Sequence, residues 1–366
     1  MKIYSVGGAL RDRILGRRVT DRDYVVLGTD EQCFMAAFPR ARKQGREYPV
    51  YRVGASEYVL SPFESIEHDL MARDLTINAL AEDEEGRLFS HPMALQDLAS
   101  RTLRPVSGEN FLKDPVRVLR AARFASMMPE FILSGDLKEA MASAAARLDG
   151  CTAERVGNEL VRALHSTLPS RFFRTLADTG CLVPWFEEME KARKVPAGPP
   201  PWHDGSLFDH ILDVMDALHG KVLWAWMGLC HDLGKLASPP EKWPSHHGHD
   251  EGGVVLAKGL GQRLRLPKRW VEAGMTGARF HMKAGLYDKL RPGTRVDILS
   301  ALHRLDLVEA LFALVRADHG DDFYEMAARD LRLMLAVHLP AGHGLKGPEA
   351  GRQLRNLRCQ ALAAAN

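Results

Sequence analysis

Cysteine is scarce in this 366-residue chain: Cys33, Cys151, Cys181, Cys230 and Cys359 are scattered. They form no C-x-x-C pair and no disulfide-like spacing, so a reducing cytoplasm is the expected compartment. No apolar run reaches membrane-spanning length, which leaves no expectation of a membrane partner. The opening Met1-Lys2-Ile3-Tyr4-Ser5-Val6-Gly7-Gly8 has the pattern of a short strand and turn, not of a signal peptide. Net charge is also small, +2 with histidine neutral, so overall charge does not announce a nucleic-acid binder. Its distribution says more. Between Arg101 and Arg174, twelve Lys/Arg face eight acids, a basic middle segment able to carry phosphates.

What is present suits two or three domains. Strand signals fall in the first hundred residues: Ile3 to Val6, Asp23 to Leu27, and a hairpin of Pro49 to Val53 and Glu57 to Leu60 joined by Gly54-Ala55-Ser56. Ala9 to Leu15 is a short helix stopped by Gly16. From Asp114 onward strand signals nearly vanish, and Asp114-Pro115 predicts a helix start with a capping carboxylate. Lys194 to Pro201, with Pro196, Pro199, Pro200 and Pro201 around Gly198, has linker composition. The fold class expected is α+β at the amino end and all-α beyond. The boundaries expected are 1–105, 106–193, 202–325 and a helical tail at 326–366.

Three constellations carry chemistry. Asp21 and Asp23 lie two apart at a strand, so both carboxylates project from one face. Side by side they repel, and a divalent cation with oxygen preference, Mg²⁺, relieves that. Gly7-Gly8 lets phosphate approach the backbone at a helix start, and Arg11 lies one turn further on. Alone, a D-x-D pair is as well explained by a turn; its company makes it a candidate catalytic site. The second constellation is Arg73-Asp74-Leu75-Thr76-Ile77-Asn78-Ala79-Leu80 followed by Lys113-Asp114-Pro115-Val116-Arg117-Val118-Leu119-Arg120-Ala121-Ala122-Arg123-Phe124. On a helix Arg117, Arg120 and Arg123 share one side, opposite Val118, Leu119, Ala122 and Ala125. Such a cationic face suits a triphosphate and the edge of a base.

The third is His210, then Cys230-His231-Asp232-Leu233-Gly234-Lys235, with Asp318 further on. Imidazole and carboxylate together ligate a divalent metal whose identity the residues leave open. His246-His247-Gly248-His249 fits two readings, a second set of ligands or a polar loop; His281 also follows.

Val6-Gly7-Gly8-Ala9-Leu10-Arg11-Asp12, Asp21-Arg22-Asp23, Arg73 to Leu80 and Asp114 to Phe124 together resemble the successive motifs of the class II tRNA nucleotidyltransferases, a family of bacterial CCA-adding enzymes and related poly(A) polymerases. The resemblance covers residues 1 to about 180. It implies a nucleotidyltransferase head with a mixed or antiparallel sheet (1–105) and a helical neck and body that binds RNA and nucleotide (106–193). It further implies Mg²⁺ on Asp21 and Asp23, and ATP or CTP on Gly8, Arg11, Arg73, Asp114, Arg117 and Arg120, with the tRNA 3′ end as acceptor. The His210, His231-Asp232 and Asp318 pattern resembles the HD phosphohydrolases. In the multifunctional form of the CCA enzyme that domain, here 202–325, is a 2′,3′-cyclic phosphodiesterase and phosphatase acting through a metal. Two departures stand out: Lys113 replaces the family's usual Glu, and the stretch from Pro62 to Leu70 is short where the family carries a longer loop tied to switching from C to A. A CC-adding or A-adding specialist, a poly(A) polymerase, and an HD phosphohydrolase regulated by nucleotide are the other readings these residues allow.

Overall fold

A computed structural model describes residues 1–19, 22–45, 49–200, 205–341 and 344–365. The chain divides into two compact units: Met1–Cys151 with Thr175–Cys181, and Thr152–Arg174 with Leu182–Asn366.

The first unit is built on a seven-stranded mixed sheet. Its strands are β1 (Lys2–Val6), β2 (Arg22–Leu27), β3 (Arg42–Gln44), β4 (Val50–Val53), β5 (Ser56–Leu60), β6 (Leu80–Glu82) and β7 (Leu88–Ser90), in the order β3-β4-β5-β2-β1-β6-β7. Only β2 and β5 pair in parallel; the other neighbours are antiparallel. The expected hairpin forms, with Val53 opposite Ser56 across a two-residue turn. Central β2 buries both faces, and its alternation separates two small cores. Val25 and Leu27 join Tyr4, Val6, Ala79 and Ala81 on one face. Val26 joins Phe34, Ala41 and Tyr51 on the other.

Helices cover these faces. They are α1 (Gly8–Ile14), α2 (Glu31–Ala37), α3 (Ile66–Met71) and α4 (Ala94–Ala99), with Phe34 of α2 and Ile66 and Leu70 of α3 buried. Two short strands, β8 (Thr102–Leu103) and β9 (Ile132–Leu133), pair in parallel, so among the described residues one strand lies beyond Asp114. Around them lie α5 (Gly108–Lys113), α6 (Val116–Met127) and α7 (Gly135–Ala144).

Two details of α6 differ from expectation. Pro115, not Asp114, is the residue before the helix, and no side chain caps it; Asp114 is extended and closes α5. Arg123 is not on an open cationic face. Most of α6 is buried, and Arg123 lies over the Phe124 ring, its carbon 4.3 Å from the centroid. A helical period identifies one apolar stripe but does not say how many neighbours will cover the rest.

The second unit is all-helical among its described residues. It contains α8 (Ala153–Leu164), part of α9 (Ser170–Asp178), α10 (Glu187–Ala192), α11 (Leu207–Ala217), α12 (Val222–Cys230), α13 (His249–Arg263), α14 (Lys268–Ala284), α15 (Pro292–Leu305), α16 (Val308–His319), α17 (Tyr324–Ala336) and α18 (Gly347–Ala364). The apolar α12 is central, packed by α11, α14 and α16. Its Trp226 is fully buried and donates to the Trp270 carbonyl on α14. The proline-rich stretch is tied into this unit: Leu207 N–H donates to the Val195 carbonyl, and Val195 and Ala197 are buried.

Candidate functional site

In the first unit, Asp23 lies near the amino end of β2, one step past the pair Ser5–Tyr24. That is where β1 ends and the chain turns through Gly7 into α1. Gly7 has φ +65, and a Cβ there would stand 3.2 Å from Arg73 Nη1, so both conformation and space favour glycine. A Cβ on Gly8 would lie 3.7 Å from Arg11 Nη2. Asp21 falls outside the described residues. Glu57 on β5 is in register with Asp23 and therefore shares its face. Sequence reading gave Glu57 no role, because the parallel β2–β5 pairing joins residues 34 apart and leaves no local signal.

The arginines converge on Asn78. Its Oδ1 accepts from buried Arg11 Nη1 at 2.8 Å and its main-chain carbonyl from Arg73 Nη1 at 2.9 Å; its Nδ2 donates to Asp74 Oδ1 at 3.3 Å. Asp74 Oδ2 accepts from Arg120 Nε at 2.7 Å, and the Leu75 N–H also donates to this carboxylate. Burial pulls Asp74 up, but the Arg120 guanidinium together with the hydrogen bonds from Leu75 and Asn78 outweighs it and holds the carboxyl well below the usual range. Arg73 is further fixed by Asp69 at 3.0 Å, and Arg11 by Asp12 at 2.9 Å. The structure thus gathers Gly8, Arg11, Arg73 and Arg120 around one network whose hubs, Asp74 and Asn78, the sequence reading quoted without a role. Asp114 and Arg117 pair with each other at 3.9 Å. Lys113 is exposed and pairs with Glu109 of its own helix at 3.3 Å.

The second unit gathers the histidines. His210 comes from α11, His231 and Asp232 from the end of α12, His249 from the first turn of α13, His281 from α14 and Asp318 from α16. Nε2 of His210 lies 3.2 Å from Nε2 of His231, 3.2 Å from Asp232 Oδ2 and 3.1 Å from Asp318 Oδ1. His231 Nε2 is 3.3 Å from Asp232 Oδ2. All four residues expected here meet. Beside them, Nε2 of His249 and of His281 lie 3.3 Å apart, and 3.2 and 3.3 Å from Asp232 Oδ1.

Of the histidine-rich loop only His249 enters the cluster. His246 turns Nε2 to the Pro196 carbonyl at 2.9 Å, and His247 is exposed. Burial opposes protonation of His231, yet Asp232 and Asp318 raise its pKa to about 10, and both carboxyls are held well below their usual range despite burial. Burial lowers His281. A cavity of about 490 Å³ opens here, lined by Asp232, Lys235, His249, Met282, Asp318 and His319 among others. Gly234 makes the turn possible: a Cβ there would meet the His249 carbonyl oxygen at 1.8 Å.

Comparison with known proteins agrees with this architecture. Residues 130–193 match the family described as "Probable RNA and SrmB- binding site of polymerase A". The chain is 34% identical to the Multifunctional CCA protein of Halorhodospira halophila, with 99% of this chain and 97% of that protein covered. It is 36% identical to the Multifunctional CCA protein of Xanthomonas euvesicatoria, covering 100% and 99%. The chain belongs to the multifunctional CCA protein family.

Solved CCA-adding enzymes share its fold. The Bacillus stearothermophilus CCA-adding enzyme in complex with CTP superposes with a TM-score of 0.69 at 22% identity, over 99% of this chain and 89% of that one. The Thermotoga maritima CCA-adding enzyme complexed with tRNA gives 0.64 at 16% identity, over 100% and 92%. Among the described residues, no helix of this CCA-family chain is long and apolar enough to cross a membrane.

Proposed function

We propose that this chain is a cytoplasmic tRNA nucleotidyltransferase that adds C and A to the tRNA 3′ end from CTP and ATP without a nucleic-acid template. Its second site is a metal-dependent phosphohydrolase acting on 2′,3′-cyclic phosphates and phosphate monoesters. The observation that carries the first activity is the fixed arrangement of Arg11, Arg73 and Arg120 around Asn78 and Asp74, beside Asp23 and the Gly7-Gly8 turn.

In the reaction the RNA 3′ hydroxyl attacks the α-phosphorus of the nucleotide, the new O–P bond forms as the α–β bridging bond breaks, and pyrophosphate leaves. Arg11 and Arg73, already held by internal acceptors, present guanidinium charge to the triphosphate without having to be ordered during the reaction. Asp114 and Arg117 at the start of α6 present one acceptor and one fork of donors to the base edge. Asp21 and Asp23 would hold Mg²⁺, which neutralises charge on the attacking and leaving oxygens.

In the second unit the cluster fits a metal: buried imidazole and carboxylate atoms converge at 3.1–3.3 Å. His210, His231, Asp232 and Asp318 would hold a divalent ion, which supplies Lewis acidity toward a phosphoryl oxygen. Lys235 Nζ, 2.6 Å from Asp232 Oδ2 at the cavity wall, offers a cation to the phosphate.

A second reading, a CC-adding specialist, is favoured by a specific observation. After β5 ends at Leu60, only residues 61–65 precede α3, which Ser65 caps and whose Asp69 accepts from Ser61 Oγ at 2.9 Å. The family's long loop is here a short, fastened connection. Labelled CTP or ATP with Mg²⁺ and tRNAs ending before the first C, after one C and after both C residues tests both readings. Addition at all three steps supports full CCA synthesis; addition of C alone supports the specialist; no addition overturns both.

A further inference from the structure

We propose that the cleft at the amino end of α12 binds a mononucleotide, with the base against Trp224 and the phosphate on Lys221 and Arg332, at a place that shares no residue with either site described above.

The cleft arises because the neighbours of α12 cover it unevenly. Every residue of α12 from Ala225 to Cys230 is buried, whereas Val222, Leu223 and Trp224 in its first turn are half-buried. Above that turn lies a cavity of about 600 Å³, lined on its other sides by the end of α15, the start of α16 and α17. The contribution of α17 comes from residues 324, 328, 331 and 332, spaced as one helical face. The volume suits a small ligand, for which pockets span roughly 300–1,000 Å³. None of the lining residues also lines the cavity at the histidine cluster.

Floor and rim differ in chemistry. The floor is apolar, with the Trp224 indole and Leu331 half-buried. On the rim three cations, Lys221, Arg269 and Arg332, face two carboxylates, Asp306 and Glu309. Arg269 and Asp306 answer each other at 3.6 Å. Lys221 and Arg332 are exposed, and among the described residues neither has a carboxylate within ion-pair distance. Lys221 Nζ lies 5.2 Å from the centre of the Trp224 ring, so one ligand can touch cation and indole together.

Those features select the ligand. An indole face accepts any flat base by stacking. Ammonium and guanidinium groups hold a phosphate, the guanidinium through a fork of donors. A bare phosphate would leave the indole and Leu331 wet, and a neutral aromatic compound would leave the two cations without an anion. A nucleotide answers both.

The test is equilibrium dialysis of radiolabelled AMP against the full chain in EDTA, which keeps divalent ions from the other two sites. The expected result is saturable binding that survives Arg11→Ala and His231→Asn. Lys221→Glu and Arg332→Glu, both at exposed positions, should each weaken that binding at least about tenfold, with circular dichroism showing each chain to be folded. Inorganic phosphate and adenosine, each filling half of the cleft, should compete at least about tenfold less well than AMP. Photolabelling with 8-azido-AMP, mapped to single residues by tandem mass spectrometry, should mark Trp224 or Tyr324. AMP binding unchanged in both charge variants, or lost with Arg11→Ala or with His231→Asn, overturns the site. Phosphate competing as well as AMP overturns the place for a base, and the nucleotide with it.

Discussion

Asn78 shows how much one side chain can organise. With three of its polar atoms it fixes Arg11, Arg73 and Asp74, and through Asp74 it reaches Arg120. Asn78→Ala would leave Arg11 Nη1 and Asp74 Oδ1 without that partner, at a cost of about 1–3 kcal/mol. If those arginines serve the transition state, kcat/KM for CTP should fall about 10- to 100-fold in a folded protein; unchanged turnover would show that the network is structural only. Asp23→Ala, with Asp21→Ala as its companion, should lower addition by orders of magnitude while tRNA affinity, read by filter binding, is nearly kept. Asp74 also carries a pH signature. Its folded pKa lies below the unfolded value near 3.9. The stabilisation is thus whole above that value and is lost as pH falls through the folded one. Asp74→Asn removes it, so denaturant unfolding should show the gap between wild type and variant closing as pH drops from about 6 toward 2. A gap constant over that window would assign it to packing. Asp23 was singled out because two aspartates two residues apart are a local sequence pattern. Asn78 was not, because its value comes from partners 67 residues away in Arg11 and, through Asp74, 46 residues further on in Arg120.

At the scale of elements, sequence pattern served where period and punctuation agree. The β4–β5 hairpin, the strand before Gly7 and a helix that follows Pro115 all come from local residues. The histidine centre draws on α11, α12, α13, α14 and α16, and packing of those helices has no local signature. His249 was visible within a loop that fitted two readings, a second set of ligands or a polar loop, and His281 only as a residue, since nothing in the chain says that the start of α13 and the turn after α12 come together. They meet at Gly234. A Cβ there would lie 1.8 Å from the His249 carbonyl oxygen and 2.5 Å from the Gly253 nitrogen, both backbone atoms that cannot swing aside. Gly234→Ala should therefore push α13 away, weaken the unit by about 1–3 kcal/mol, and abolish hydrolysis of 2′,3′-cyclic phosphate with little effect on nucleotide addition. Retained hydrolysis would mean that the turn and α13 shift together. The short connection of residues 61–65 gives a gain-of-function counterpart. Lengthening it by a flexible Gly/Ser segment should change the ratio of A to C addition if the fastened connection restricts the pocket, and an unchanged ratio would free it of that role.

Across the whole molecule, the two sites share no residue. Every described residue of the proposed nucleotide site lies in Met1–Cys151, and every histidine of the cluster lies in Leu182–Asn366. The two also differ in donor chemistry: carboxylate oxygens alone at Asp21 and Asp23, imidazole with carboxylate at the cluster. Oxygen-only sites accept Mg²⁺ readily, whereas histidine-containing sites prefer later divalent metals. A chelated protein should therefore recover its activities separately. Restoring Mg²⁺ should return nucleotide addition and leave cyclic-phosphate hydrolysis low; adding Mn²⁺, Co²⁺ or Ni²⁺ should then return hydrolysis. Substitution should divide them the same way, His231→Asn losing hydrolysis with addition within about twofold of wild type, and Asp23→Asn the reverse. Recovery of both activities by Mg²⁺ alone would mean that the histidines are not ligands of the working ion. Loss of both in a well-folded His231→Asn chain would mean that the cluster supports nucleotide addition as well.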